Sequence, residues 1–136
     1  TLSRFLRASP EKVFRAWTQG EALKRWFGPS DAMTIVIADV DPRVGGRYRI
    51  VMRAPDGEEH RVGGVYREVT PPSKLVFTWA WESTPERESL VTVSIAPAEG
   101  GAELTLVHER FADDAARERH NQGWLGTLDR LARDLA

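Results

Sequence analysis

The sequence predicts an α+β fold, a strongly twisted antiparallel sheet wrapped around a long C-terminal helix with an apolar cavity between them. Three observations carry this. Residues 32 to 111 fall into short alternating runs of apolar and polar residues separated by turn residues, the pattern of an antiparallel sheet. After Asp113 the pattern changes to a helical stripe, with Trp124, Leu128, Leu131 and Leu135 at i, i+4, i+7 and i+11. The chain has 136 residues, enough for one core that buries roughly two-thirds of the surface the unfolded chain exposes.

Taken in order, Leu2 to Arg7 reads as a strand. Ser9 is then a helix N-cap and Pro10 the first helical position, opening a helix from Glu11 to Thr18 whose Val13, Phe14 and Trp17 share a face. Gly20 separates it from a second short helix, Glu21 to Trp26, which stops at Phe27-Gly28-Pro29. Trp26 and Phe27 are expected to be exposed, at a dimer contact or a pocket entrance, so both a monomer and a homodimer are open.

Six strands follow: Met33 to Val40, Arg47 to Arg53, Arg61 to Val69, Leu75 to Glu82, Leu90 to Ile95 and Glu103 to Phe111. The links Gly45-Gly46, Pro55-Asp56-Gly57, Pro71-Pro72-Ser73, Ser83 to Pro85 and Glu99-Gly100-Gly101 all carry turn chemistry. Links this short imply a meander of sequential hairpins. Asp113 caps the final helix to Leu135, with Leu125 and Ala132 widening its stripe, and no repeat or linker interrupts residues 1 to 136. One domain is expected.

Composition narrows the partners. With 19 basic and 20 acidic residues the net charge is −1, so no field exists to hold a nucleic-acid backbone. No apolar run approaches the ~20 residues of a membrane span, and the first residues lack a signal peptide's apolar stretch. Cysteine is absent, which removes disulfides, thiolate metal sites and cysteine nucleophiles and suits a reducing cytoplasm. His60, His108 and His120 have no metal-ligand spacing. No metal and no cofactor are expected.

Period-2 geometry puts Leu75, Phe77, Trp79 and Trp81 on one face of their strand. Neighbouring strands supply Tyr48, Ile50 and Met52, then Val62, Gly64 and Tyr66, then Leu104, Leu106 and His108. Closed by Trp124 and Leu128 of the helix, this surface either packs solid or leaves a cavity. Gly63, Gly64, Gly123 and Gly126 lie inside a strand and a helix, where each costs about 0.5–1 kcal/mol relative to alanine, and they favour the cavity. The predicted ligand-binding residues are Tyr48, Met52, Tyr66, Phe77, Trp79, Trp81, His108, His120, Asn121, Trp124 and Leu128. Of these, His120 and Asn121 lie four and three residues before Trp124, placed to orient a ligand's polar end. Arg47, Arg49, Arg53, Arg61 and Arg67 form a stripe on the convex face, either solvated or set against an acidic protein surface.

Several blocks, in this order, resemble a known family: Ser9-Pro10-Glu11-Lys12-Val13-Phe14-Arg15-Ala16-Trp17-Thr18, Leu23-Lys24-Arg25-Trp26-Phe27-Gly28-Pro29, Asp41-Pro42-Arg43-Val44-Gly45-Gly46-Arg47-Tyr48, Gly64-Val65-Tyr66-Arg67-Glu68-Val69, Leu75-Val76-Phe77-Thr78-Trp79, Glu88-Ser89-Leu90-Val91-Thr92-Val93 and His120-Asn121-Gln122-Gly123-Trp124. Over Leu2 to Leu135 the chain resembles the bacterial branch of the activator of heat-shock protein 90 ATPase homologue (AHSA-like) family, in the START/birch-pollen-allergen (SRPBCC) superfamily. The resemblance implies a helix-grip fold, seven antiparallel strands gripping the C-terminal helix, with two short helices between the first two strands. It transfers no catalytic motif.

Three functions are weighed. The resemblance and the aromatic strand face together favour a non-enzymatic binder of an apolar small molecule, lipid-like or aromatic. The family name suggests a stress-related chaperone cofactor acting on a chaperone protein's ATPase. An enzyme of cyclase or hydrolase type would use His108 or His120 as general acid or base.

Overall fold

The structure, a computed structural model, describes residues 1–136. Its elements are β1 (Leu2–Leu6), α1 (Pro10–Thr18), α2 (Gly20–Trp26), β2 (Thr34–Val40), β3 (Arg47–Arg53), β4 (Glu59–Thr70), β5 (Lys74–Trp81), β6 (Ser89–Ala98), β7 (Gly101–Glu109) and α3 (Asp114–Leu135). The caps are those the sequence calls for. Ser9 accepts from the Lys12 N–H at 3.2 Å and Asp113 from the Ala116 N–H at 2.7 Å, each satisfying a first-turn donor that the helix itself cannot pair.

All seven strands form one curled antiparallel sheet in the order β1-β7-β6-β5-β4-β3-β2. β2 to β7 are a meander, and α1 and α2 carry the chain from β1 at one edge to β2 at the other. With α3 gripped in the concave face, this is a helix-grip fold. The β4–β5 ladder skips Gly64 and Val65, between the pairs Gly63–Ala80 and Tyr66–Phe77, and shifts register between Tyr66 and Glu68. There the Val65 N–H turns to the Thr78 hydroxyl at 2.8 Å, and the Tyr48 hydroxyl donates to the Thr78 carbonyl at 2.5 Å. No helix is long and apolar enough to cross a membrane.

Strand ends differ from the expectation where local geometry intervenes. β6 runs on to Ala98 because Ala96–Ala98 pair with Gly101–Glu103 around a two-residue turn. β7 stops at Glu109 rather than Phe111, because Arg110 takes φ of 66°, a left-handed conformation that ends a strand. Phe111 is thereby turned back onto His108, ring centres 4.1 Å apart.

The core joins the concave face of the sheet to α1, α2 and the inner face of α3. Trp26 and Phe27, expected to be exposed, are instead 0% and 4% exposed. Ala22, Leu23, Trp26 and Phe27 follow helical spacing and face inward together. Trp26 meets Trp17 edge-on at 4.8 Å and donates its indole N–H to the Ala16 carbonyl at 3.1 Å. The predicted arginine stripe is largely neutralised within the chain: Arg49 pairs with Glu82, and Arg53 and Arg61 share Glu59.

Candidate functional site

At one end of the sheet–helix interior lies a cleft of about 210 Å³, partly open to solvent. Its floor is the cross-strand pair Met52 and His60, placed opposite each other by the Pro55-Asp56-Gly57 turn. β5 adds Trp79 and Trp81, α3 adds His120, Gly123, Trp124 and Thr127, and the segment from Phe27 to Met33 closes the side. No Lys, Arg, Asp or Glu lines it.

Gly123 explains why space remains here. A Cβ built on it would meet nothing within 4 Å, whereas one on Gly126, one turn along, would collide with the Pro29 carbonyl oxygen. Gly63 and Gly64 likewise bring backbone against backbone, at the Tyr48 and Thr78 carbonyls. Of the four glycines read as cavity markers, then, only Gly123 lines the cleft and leaves room for a Cβ.

The other end of the interior is filled. Tyr48, Tyr66 and Phe77 pack at ring-centre distances of 5.3 to 6.2 Å and leave a void of about 20 Å³. Burial pushes the phenol pKa of both tyrosines up. Of the residues predicted to bind ligand, the structure brings Met52, Trp79, Trp81, His120 and Trp124 to the cleft, and Tyr48, Tyr66 and Phe77 to the inner void. His108 and Asn121 instead border a separate, polar recess beside Arg117 on the far side of Trp124, and Leu128 is buried in the core away from these spaces. Met33, His60 and Thr127 line the cleft without having been singled out, and Phe27, expected at a dimer contact or a pocket entrance, lines it from a buried position. His60 was legible from hairpin arithmetic alone, since the turn at Asp56 pairs it with Met52.

The two histidines are locked by their partners. An indole N–H can only donate, so the 2.9 Å bond from Trp81 Nε1 makes His120 Nε2 the acceptor, and His120 Nδ1–H donates to the Ala116 carbonyl at 2.7 Å. By the same logic Trp124 Nε1–H donates to His108 Nδ1 at 2.9 Å. His108 Nε2–H then donates to Ser89 Oγ at 2.7 Å, and the Ser89 hydroxyl to the Trp79 carbonyl at 3.1 Å. Both rings are therefore neutral, with every nitrogen engaged. Burial, with His120 5.1 Å away, lowers the His108 pKa to about 3, and burial lowers that of His120. No three His, Cys, Asp or Glu side chains come together as a metal site requires.

Arg130 of α3 holds the cleft's side wall. It donates to the carbonyls of Phe27 at 2.5 Å, Gly28 at 3.5 Å and Arg25 at 3.4 Å, and pairs with Asp31 at 3.2 Å. Arg133 adds a two-pronged contact to Asp31 at 2.9 and 3.0 Å. The cation thus meets the C-terminal carbonyls of α2, where the helix dipole favours positive charge.

Residues 7–136 match the family described as activator of Hsp90 ATPase homolog 1-like protein. Among solved structures, the AHSA1 protein of Silicibacter pomeroyi is 33% identical with a TM-score of 0.87, covering 98% of this chain and 94% of its own. A Chromobacterium violaceum protein is 32% identical with the same TM-score and coverage. An AHSA1-like protein of Aeromonas hydrophila, at 24% identity and a TM-score of 0.79, shares the fold. A search of curated proteins finds no match. The family match over nearly the whole chain, the structural likeness and the sheet gripping α3 agree: this chain belongs to the activator of Hsp90 ATPase homolog 1-like family.

Proposed function

We propose that the protein binds a small apolar ring compound in the cleft between the sheet and α3. The observation that carries this reading is the uncharged cleft of about 210 Å³, kept open by Gly123 and walled by Met52, Trp79, Trp81 and Trp124. A cavity of ~150 Å³ already accepts benzene, so the space suits one or two fused rings rather than a long lipid. Burying ~200–250 Å² of apolar surface at about 25 cal/mol/Å² gives a Kd on the order of 0.1 mM. The saturation of His108 and His120 by protein partners favours binding over acid–base chemistry, because neither ring has a nitrogen free for a substrate. A chaperone-cofactor role draws on the family's description, and the pairing of Arg49, Arg53 and Arg61 with nearby carboxylates leaves less free positive charge for an acidic partner.

Titrating isotopically labelled protein with a panel of single-ring and fused-ring compounds, read by NMR, tests the reading. Shifts concentrated at His60, His120, Gly123 and Thr127 are expected for some members. Absence of binding by every member at millimolar concentration would overturn it.

A further inference from the structure

We infer that the cleft selects neutral ring compounds carrying a hydrogen-bond acceptor, such as a ketone, aldehyde or ester oxygen, and that the Trp79 indole N–H is the group that selects them. This rests on the binding role proposed above and names the chemistry of the ligand. Trp79 is 5% exposed, and its Nε1 is sealed from solvent with no hydrogen-bond partner. Trp26, Trp81 and Trp124 are matched, to the Ala16 carbonyl, His120 and His108. Trp17 Nε1 is also unpartnered but borders only the inner void of about 20 Å³, which leaves Trp79 as the unmatched indole of the cleft wall. A buried donor left unmade is a standing cost to the fold, and an acceptor brought by a ligand recovers it.

Position makes Trp79 the selecting group. Trp79 and Phe27 are the two side chains that border both the cleft and the inner void, their ring centres 6.2 Å apart and inclined at 35°. Together they are the partition between the two spaces, so a ligand in the cleft packs against the Trp79 ring and engages its N–H when that ring turns toward the cleft. Of the other side-chain donors in the lining only the His60 imidazole has no partner, and the rest are committed. Trp81 and Trp124 donate to the histidines, His120 to the Ala116 carbonyl and the Thr127 hydroxyl to the Gly123 carbonyl at 2.8 Å. With no charged side chain in the wall, an ionised group entering the cleft would lose its hydration without gaining a counter-charge. What remains favourable is a neutral acceptor.

Acetophenone and cumene, nearly equal in shape and differing by a carbonyl, are the probes. With the full chain labelled with ¹⁵N, both bind, and the Trp79 indole N–H, identified through its contacts to Phe27 and Trp124, moves downfield with acetophenone only. The ratio of the cumene Kd to the acetophenone Kd then falls about threefold to tenfold in Trp79→Phe, the span expected for one such hydrogen bond. The indole shift in the unsubstituted chain decides the matter should Trp79→Phe fail to fold. An indole signal indifferent to the carbonyl, or an unchanged ratio in the variant, would overturn the inference while leaving ring binding intact. If neither probe binds, the binding role falls and the inference with it.

Discussion

The two ends of the interior are built from the same sheet and the same kind of side chain, yet one is filled and the other is open. At the filled end Tyr48, Tyr66 and Phe77 interlock and leave about 20 Å³. At the open end Trp79 and Trp81 stand over Met52 and His60 and leave about 210 Å³. The difference lies in what faces the sheet. Opposite Tyr48 and Phe77 the short helices press Trp17 and Leu23 inward; opposite Met52 and Trp81 the helix presents Gly123, and Arg130 ties the Phe27–Met33 segment into a fixed wall. Aromatic strand faces therefore do not by themselves report a cavity. The element laid across them does.

Truncation at the filled end should have the largest effect. Phe77→Ala removes a ring that touches Tyr48, Tyr66 and Trp17 and should cost about 3–5 kcal/mol, read by urea unfolding. A smaller loss would mean that this end is looser than its packing. Arg130→Met, which keeps the stem and removes the guanidinium, should cost about 1.5–3 kcal/mol, the range for hydrogen bonds to charged groups, and should weaken ligand binding as the wall loosens.

Acidification should separate the ends next, because both locked histidines lie beside Trp79, and His108 also beside Trp124. The folded pKa of His108 is about 3 and that of His120 is lowered, against ~6.5 in the unfolded chain. Below pH 6.5 the unfolded state binds protons that the folded state refuses, so stability is greatest above 6.5 and falls as the pH drops. The slope from His108 alone approaches about 1.4 kcal/mol per pH unit, and His120 adds to it in the same direction. Paired carboxylates such as Asp31, Glu59 and Asp113 also have lowered pKa values and lose their contribution only in the carboxylate range, so unfolding between pH 6.5 and 4.5 reads the histidines. Replacing His108 with Gln should flatten that slope.

The smallest effect carries the opposite sign. Gly123→Ala places a methyl in open space within a helix and should stabilise the protein by about 0.5–1 kcal/mol, whereas Gly126→Ala must displace the Pro29 backbone and should destabilise it. Thermal melts of the two variants, one turn apart, check whether the contrast holds.

The strand count, the meander and the α3 stripe were legible because each rests on local periodicity, and Ser9 and Asp113 marked their helices by cap chemistry alone. Trp26 and Phe27 were misread although the spacing of Ala22, Leu23 and Trp26 already defined an inward face, because a two-turn helix gives too few repeats to carry much weight. The site was less legible for a different reason. His108 and His120 both project toward Trp124, but only the three-dimensional course of α3 decides that His120 borders the cleft while His108 and Asn121 fall behind the indole. The same holds for glycine: a helical glycine looks alike in sequence whether backbone approaches it, as at Gly126, or nothing does, as at Gly123.

The central claim, that the space beside Gly123 is a ligand site, is tested most directly by Gly123→Leu, which adds an isobutyl group at a cleft-lining position where a Cβ meets nothing within 4 Å. The account predicts a folded protein with at least its original melting temperature and at least tenfold weaker binding of acetophenone, the loss of about 1.4 kcal/mol or more. A folded Gly123→Leu protein that binds the probe as tightly as the original would contradict it.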